Sequence, residues 1–209
     1  IVSAFYNRHK RMYVLNELIN KKQLSKKIAL DETYLTYQAK GFVNQNRRGI
    51  SKDKIGIACA IDEDGNYVVH TADRGRPTSS TLIDIFKNTI RPGSIVISDS
   101  QRSYHQLMDA LNIKWVKIPS GEKSKDGYTL EMVNHLHDRI KAFFRGKRNV
   151  MTHYLQGYLA LFQYSELHTM MIGSKMFQDE FMKINNILSG IRNKDICPEV
   201  NLYKTLYEC

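Results

Sequence analysis

The sequence predicts an α/β fold: a mixed five-stranded sheet flanked by helices, with helical extensions at the N- and C-terminal ends. Three observations carry that expectation. Five short segments rich in Ile, Val, Ala and aromatic residues read as strands. The first three follow one another with only loops or a turn between them, as a meander requires. The last two each come after a helical stretch, as strands in the parallel half of a mixed sheet do.

Taken in order, Phe5 to Lys22 reads as a basic amphipathic helix with Tyr13, Leu15, Leu18 and Ile19 on its apolar side. Lys26 to Thr36 reads as the first strand, and Gln45 to Lys54 as a polar, basic loop. Ile55–Ile61 and Tyr67–Thr71 read as two strands joined through Asp62-Glu-Asp-Gly-Asn, a hairpin signal rather than a calcium loop, because the remaining ligands of such a loop are missing. Thr78-Ser-Ser-Thr opens a helix to about Thr89, stopped by Arg91-Pro-Gly. A buried strand, Ser94 to Ser98, delivers Asp99. Ser103 to Leu111 reads as a helix, Ile113 to Ile118 as a strand, and Pro119 to Gly127 as a polar loop of the kind that a ligand orders. Thr129 is placed to cap a helix running to Phe144, with Glu131 in its first turn. An aromatic-rich helix from Met151 to Tyr164 follows, and Met176–Leu188 reads as helical. This is the element order of the ribonuclease H-like fold.

Composition narrows the partners. The 209 residues carry a net charge of +10, which favours a polyanion. No apolar run approaches the roughly 18–20 residues of a membrane span, and no signal segment opens the chain. No membrane partner is expected. Cys59, Cys197 and Cys209 are odd in number and lack C-x-x-C spacing, which supports neither a disulfide framework nor a zinc site and fits a reducing cytoplasm. The first residue is Ile rather than Met, so the natural N-terminus is expected to lie upstream.

The chemistry concentrates in three residues. Asp31 closes Lys27-Ile-Ala-Leu-Asp, Asp99 closes Ser94-Ile-Val-Ile-Ser-Asp, and Asn134 lies on the helix Val-Asn-His-Leu-His-Asp-Arg-Ile-Lys with Lys141 one heptad on. Oxygen ligands drawn from two strand ends and a helix suit hard cations such as magnesium. Two such ions can hold the attacking and leaving oxygens of a phosphodiester. Glu131 and Asp138 flank Asn134 on nearly the same helix face and are the acidic rivals for its place. Glu32 should point to the opposite face from Asp31. His135 and His137 are two apart, diverge on a helix, and read as core or surface groups. Arg47, Arg48, Lys52 and Lys54, and Arg145, Lys147 and Arg148, form two basic clusters able to neutralise phosphates.

Around these residues the chain resembles the ISXO-like bacterial insertion-sequence transposases, members of the DDE superfamily with a retroviral-integrase-like catalytic domain. The resemblance rests on Leu30-Asp-Glu-Thr-Tyr, Pro92-Gly-Ser-Ile-Val-Ile-Ser-Asp, Val133-Asn-His-Leu-His-Asp-Arg-Ile-Lys and Thr152-His-Tyr-Leu-Gln-Gly-Tyr-Leu, across roughly residues 28 to 164. It implies a linker helix over 1–26, a ribonuclease H-like catalytic core over 27–164 and a helical tail over 165–209. It implies that Asp31, Asp99 and Asn134 are catalytic and bind two magnesium or manganese ions. Asn134 stands where the superfamily usually has Glu; its amide oxygen coordinates without adding charge and is no general base. Lys141 is expected on the phosphate next to the scissile bond, and Arg145, Arg47, Arg48, Lys147 and Arg148 on the DNA backbone. The implied partners are double-stranded DNA, as transposon ends and target, and further copies of the chain in a homo-oligomer on DNA. The implied setting is the bacterial cytoplasm at the nucleoid. A nuclease that cuts without joining, and a non-catalytic DNA-binding remnant, remain the alternatives.

Overall fold

The computed structural model describes residues 12, 15, 16, 23–119, 121, 122, 124–147 and 150–169 of the 209. Strands β1 (Lys27–Thr36), β2 (Lys54–Asp62) and β3 (Tyr67–Arg74) pair antiparallel as a meander. On the other side of β1, strands β4 (Ile95–Asp99) and β5 (Lys114–Ile118) add in parallel, giving the spatial order β3-β2-β1-β4-β5. The sheet is therefore mixed and five-stranded, as the element order predicts. The first three strands need only a loop and a turn to pair, whereas the parallel strands are reached through helices α1 (Ser79–Phe86) and α2 (Ser103–Leu111).

The two faces of the sheet are covered by different elements. Ile28, Leu30, Ala58, Ala60, Val68 and Val96 form one core with Leu82 and Phe86 of α1 and Tyr104, Leu107 and Met108 of α2. Fully burying one such side chain stabilises the fold by roughly 1.5–3 kcal/mol. Alternate residues of the same strands, among them Ala29, Ile57 and Cys59, are buried on the opposite side. There α3 (Glu131–Arg145) packs on β1 and β2 through Val133, Leu136, His137 and Ile140. With both faces covered, β2 is buried along nearly its whole length and reads as Ile-Gly-Ile-Ala-Cys-Ala-Ile rather than as an alternating strand.

Local chemistry explains most boundaries. The β2–β3 turn closes on Asp62, whose Oδ1 accepts from the amides of Asp64 and Asn66, while Gly65 takes φ +81°. The acidic turn is a turn, as expected. Thr78 caps α1 by accepting from the Thr81 amide. That helix ends at Phe86 instead of Thr89, because Leu24 and Ile90 pair as a parallel bridge that draws the chain back towards the sheet.

Two expectations need correction before α3. Residues 119–127 are not wholly loop: β6 (Ser124–Lys125) and β7 (Tyr128–Thr129) pair as a small hairpin. Asp126 and Gly127 both adopt positive φ, the conformation that a two-residue hairpin turn demands and that an Asp-Gly pair readily takes. Thr129 is consequently in a strand, and Leu130 occupies the N-cap of α3 without a side-chain bond. A 3₁₀ turn (Thr152–Tyr154) then leads into α4 (Leu155–Thr169). Of the expected N-terminal helix, Met12, Leu15 and Asn16 are described and are helical. The expected helix at Met176–Leu188 lies outside the described residues, as does Arg148.

By its internal contacts the chain divides into two compact units, 21–156 and 1–20 with 157–209. Asp31, Asp99, Asn134 and Lys141 all belong to the first.

Candidate active site

Asp31 and Asp99 owe their juxtaposition to register. β1 and β4 pair in parallel from Lys27 with Ile95 through Ala29 with Ile97. Two residues further, strand alternation brings Asp31 and Asp99 level and onto one face, where the ladder between these strands has ended. Asp99 is the last residue of β4, but Asp31 is not at the end of its strand, since β1 continues along β2 to Thr36. Asp31 Oδ1 accepts from the Glu32 amide at 2.9 Å, and Asp99 Oδ1 accepts from the Gln101 amide at 3.0 Å.

The site is electrostatically tense. Burial pushes the Asp31 carboxyl up to about 6; the Glu32 amide opposes the shift, the Asp99 charge adds to it, and Lys141 opposes it. Glu32, one residue on, points to the other face as alternation predicts. Its carboxylate accepts from the Tyr104 hydroxyl at 2.8 Å, and the Gln101 side-chain amide lies 3.5 Å from each of its oxygens. Burial pushes Glu32 up to about 7, with Tyr104 holding it down and Asp31 raising it.

On the α3 side, Asn134, Lys141 and Arg145 run along one exposed flank of the helix. His137 lies between them and is buried, its imidazole beside the Asp31 backbone and its Nε2 making no hydrogen bond to the protein. Burial first, and Lys141 second, lower its pKa to about 4, so it is neutral at physiological pH. Lys141, four residues after His137, acts electrostatically on Asp31 and on the buried Cys59 thiol. The fold thus brings Asp31, Asp99 and Lys141 into one electrostatic neighbourhood, and places Asn134 one turn before His137 on the same flank. Glu131 and Asp138 are exposed, with Glu131 in the first turn, where it complements the helix dipole.

Among the described residues no three His, Cys, Asp or Glu side chains gather as a cation cage. Two carboxylates and an amide are a smaller charge set. Their chemistry still fits a hard cation, because Asp31 is a desolvated carboxylate beside a second acid and a positive charge there relieves both burdens.

The basic residues divide into distinct settings. Arg47 and Arg48 are exposed in the long connection between β1 and β2. Asp53 organises that connection, accepting from the Arg47 amide at 3.0 Å, and the Arg74 guanidinium lies 4.1 Å from the Tyr37 ring centre and 4.5 Å from that of Phe42. Arg145 is exposed. Lys147 turns back on its own helix, donating to the Phe143 carbonyl at 3.1 Å with its ammonium 3.3 Å from that ring's centre.

The sequence reading missed the polar group behind the aspartates. Its signal was Glu32 itself: a carboxylate in phase with Ile28 and Leu30 must enter the α1–α2 core, and a carboxylate there requires partners.

Comparison with known proteins adds the family. The ISXO2-like transposase domain matches residues 23–166. No curated protein matches the chain. Among solved structures, the simian T-cell lymphotropic virus intasome in complex with PP2A regulatory subunit B56 gamma aligns at 15% identity over 66% of this chain and 48% of that one, with a TM-score of 0.45. The Mos1 transposase paired-end complex with the left transposon end aligns at 15% identity over 76% of this chain and 60% of that one, with a TM-score of 0.32. The chain therefore spans about half to three-fifths of the length of those chains.

Proposed function

The chain belongs to the ISXO2-like transposase family, and from that premise we propose that it cuts a phosphodiester at the end of an insertion sequence and joins the freed 3′-hydroxyl to target DNA. The observation that carries the reading is the register of β1 and β4, which sets Asp31 and Asp99 level on the face covered by the Asn134–Lys141 helix. In this reading Asp31 and Asp99 hold two magnesium or manganese ions and Asn134 completes the site. When bound, the ions supply positive charge to the attacking and leaving oxygens and lower the pKa of a coordinated water.

The chain's own residues do the rest. Asn134 contributes an oxygen without charge and takes no proton. His137 is no general base in this reading, because its Nε2 is buried and burial lowers its pKa to about 4. Lys141 holds the phosphate beside the scissile bond, with Arg145 four residues on. β1 runs five residues past Asp31, roughly 16 Å at strand rise, so the connection bearing Arg47 and Arg48 springs from the end of the sheet where Asp99 terminates β4. Those arginines, with Lys147 and Arg148, are read as backbone contacts that position DNA without reading its bases. Residues 27–164 form the catalytic core in this reading, flanked by a linker helix and a tail. The chain acts as a homo-oligomer on DNA at the bacterial nucleoid.

The test is a cleavage assay on oligonucleotides carrying the uncut element end and a strand-transfer assay on ones with a recessed 3′ end, each with magnesium or manganese. Joined product from the wild type and none from Asp31→Ala supports the reading. Cleavage without joining assigns a nuclease instead. No cleavage with either metal assigns a DNA-binding remnant.

A further inference from the structure

We propose that Glu32 and Tyr104, with Gln101, are positioning residues that clamp the middle of β1 to the end of β4 and so set the separation of Asp31 and Asp99. The inference rests on the metal-binding reading of those aspartates. The need for a clamp follows from the sheet. The β1–β4 ladder ends at Ala29 and Ile97, two residues short of the carboxylates. Beyond it, β1 stays with β2 as far as Thr36, and β4 stays with β5 as far as Asp99. Each aspartate is thus fixed to a different neighbouring strand.

The polar group on the α1–α2 face spans that gap. The Glu32 side chain reaches from β1 to the first turn of α2, where the Tyr104 hydroxyl donates to its Oε1 at 2.8 Å. Gln101 lies 3.5 Å from both Glu32 oxygens, at the outer limit of a hydrogen bond, and donates to Ser103 Oγ at 2.7 Å. The same two residues hold the aspartates through their backbones: the Glu32 amide donates to Asp31 and the Gln101 amide to Asp99. A continuous polar path therefore runs from one ligand carboxylate to the other behind the sheet. Tyr104 is fully buried and Glu32 is 8% exposed, so the Tyr104–Glu32 bond is shielded from water and carries the clamp. Groups behind a ligand typically set metal affinity by 10–100-fold, through orientation and spacing.

The clamp and a simple charge effect of Glu32 make different predictions. Mn²⁺ binding to the full chain is measured by calorimetry at pH 8, with metal-free melting as the check on folding. Tyr104→Phe removes the bond and leaves the Glu32 carboxyl in place. The expected result is roughly 3–10-fold weaker Mn²⁺ binding in a chain that still melts cooperatively, at a lower temperature because a buried acceptor loses its donor. Glu32→Ala is expected to weaken binding by roughly 10–100-fold, and Glu32→Gln, which keeps an acceptor for Tyr104, to recover most of that loss. The clamp is overturned if Tyr104→Phe binds like the wild type, or if Glu32→Gln is as weak as Glu32→Ala, the signature of charge alone. Should Tyr104→Phe fail to fold, the Glu32→Ala and Glu32→Gln pair decides the matter. Asp31→Ala separates the two readings. Wild-type binding that is lost in Asp31→Ala but unchanged in the Glu32 and Tyr104 variants sinks the clamp alone. A wild-type chain that takes up no Mn²⁺ sinks both.

Discussion

Asp31 and Glu32 are neighbours of the same chemical class, yet one register step sends them to opposite faces of the sheet. Glu32 enters the apolar α1–α2 core, where Tyr104 and Gln101 receive its oxygens. Asp31 faces α3, accepts one backbone amide, and shares its surroundings with Asp99 and Lys141. Burial raises both carboxyls, to about 7 and about 6, for different purposes. The Glu32 side is closed by protein donors. The Asp31 side leaves charge for something else to balance. Residue type does not separate these two acids; the face does.

The largest expected effect tests the proposed role of the Asp31 face. Asp31→Ala or Asp99→Ala should lower strand cleavage by about 10³-fold or more, on the scale of removing a principal catalytic group. For Asp31→Ala the metal-free melting temperature should hold or rise, because a desolvated carboxylate is removed. Oligonucleotide cleavage alongside thermal melting checks this, and a variant with unchanged cleavage breaks the comparison.

The next effect tests the closed face through pH. Folded Glu32 keeps its proton up to about 7 against an ordinary value of 4.5. The metal-free folded state therefore binds more protons than the unfolded one between those values, and its stability falls as pH rises through that window. Glu32→Gln removes this contribution. Its stability advantage should be absent below about pH 4.5 and grow to at most about 3 kcal/mol above pH 7, at about 1.4 kcal/mol per pH unit. His137 works in the opposite sense: with its pKa lowered from 6.5 to about 4, stability is lost as pH falls through that range. The difference between variant and wild type in denaturant melts across pH 4–8 isolates Glu32. A flat difference would place the carboxylate in a wetter setting than the fold gives it.

Lys141→Met comes third. On the proposed role of Lys141 at a phosphate, and with the loss of a cation near Asp31, cleavage should fall about tenfold and the salt slope of DNA binding by about one. In the metal-free protein, the Asp31 titration should also move up, because Lys141 holds it down. NMR titration of labelled aspartate reads that shift, and a static Asp31 would place Lys141 elsewhere. The smallest effect falls on the loop between β1 and β2. Arg47→Ala with Arg48→Ala should weaken DNA binding a few-fold for all sequences alike and lower the salt slope by up to two, while leaving Mn²⁺ binding unchanged.

Much of this architecture was legible locally. Apolar runs between turns revealed all five strands of the sheet, because burial on both faces writes itself as Ile-Gly-Ile-Ala-Cys-Ala-Ile in β2 and Ile-Val-Ile in β4. Thr78 announced α1 correctly, since a capping bond spans only three residues. Thr129 did not cap α3, because Asp126-Gly127 drew it into a hairpin whose partner, Ser124, lies five residues away. The α1 terminus moved because Leu24, more than sixty residues distant, pairs with Ile90.

What the sequence determined by itself is the pattern that short-range physics enforces: strand and helix periodicity, turn chemistry, net positive charge, and motif text sufficient to place the family. Tertiary structure alone decided the pairing of β1 with β4, which sets Asp31 level with Asp99. It alone decided the placement of His137 beside the Asp31 backbone and the reach of Glu32 to Tyr104. Those contacts join residues between 68 and 106 positions apart, and no local propensity encodes such a distance; register and the burial of two different sheet faces do.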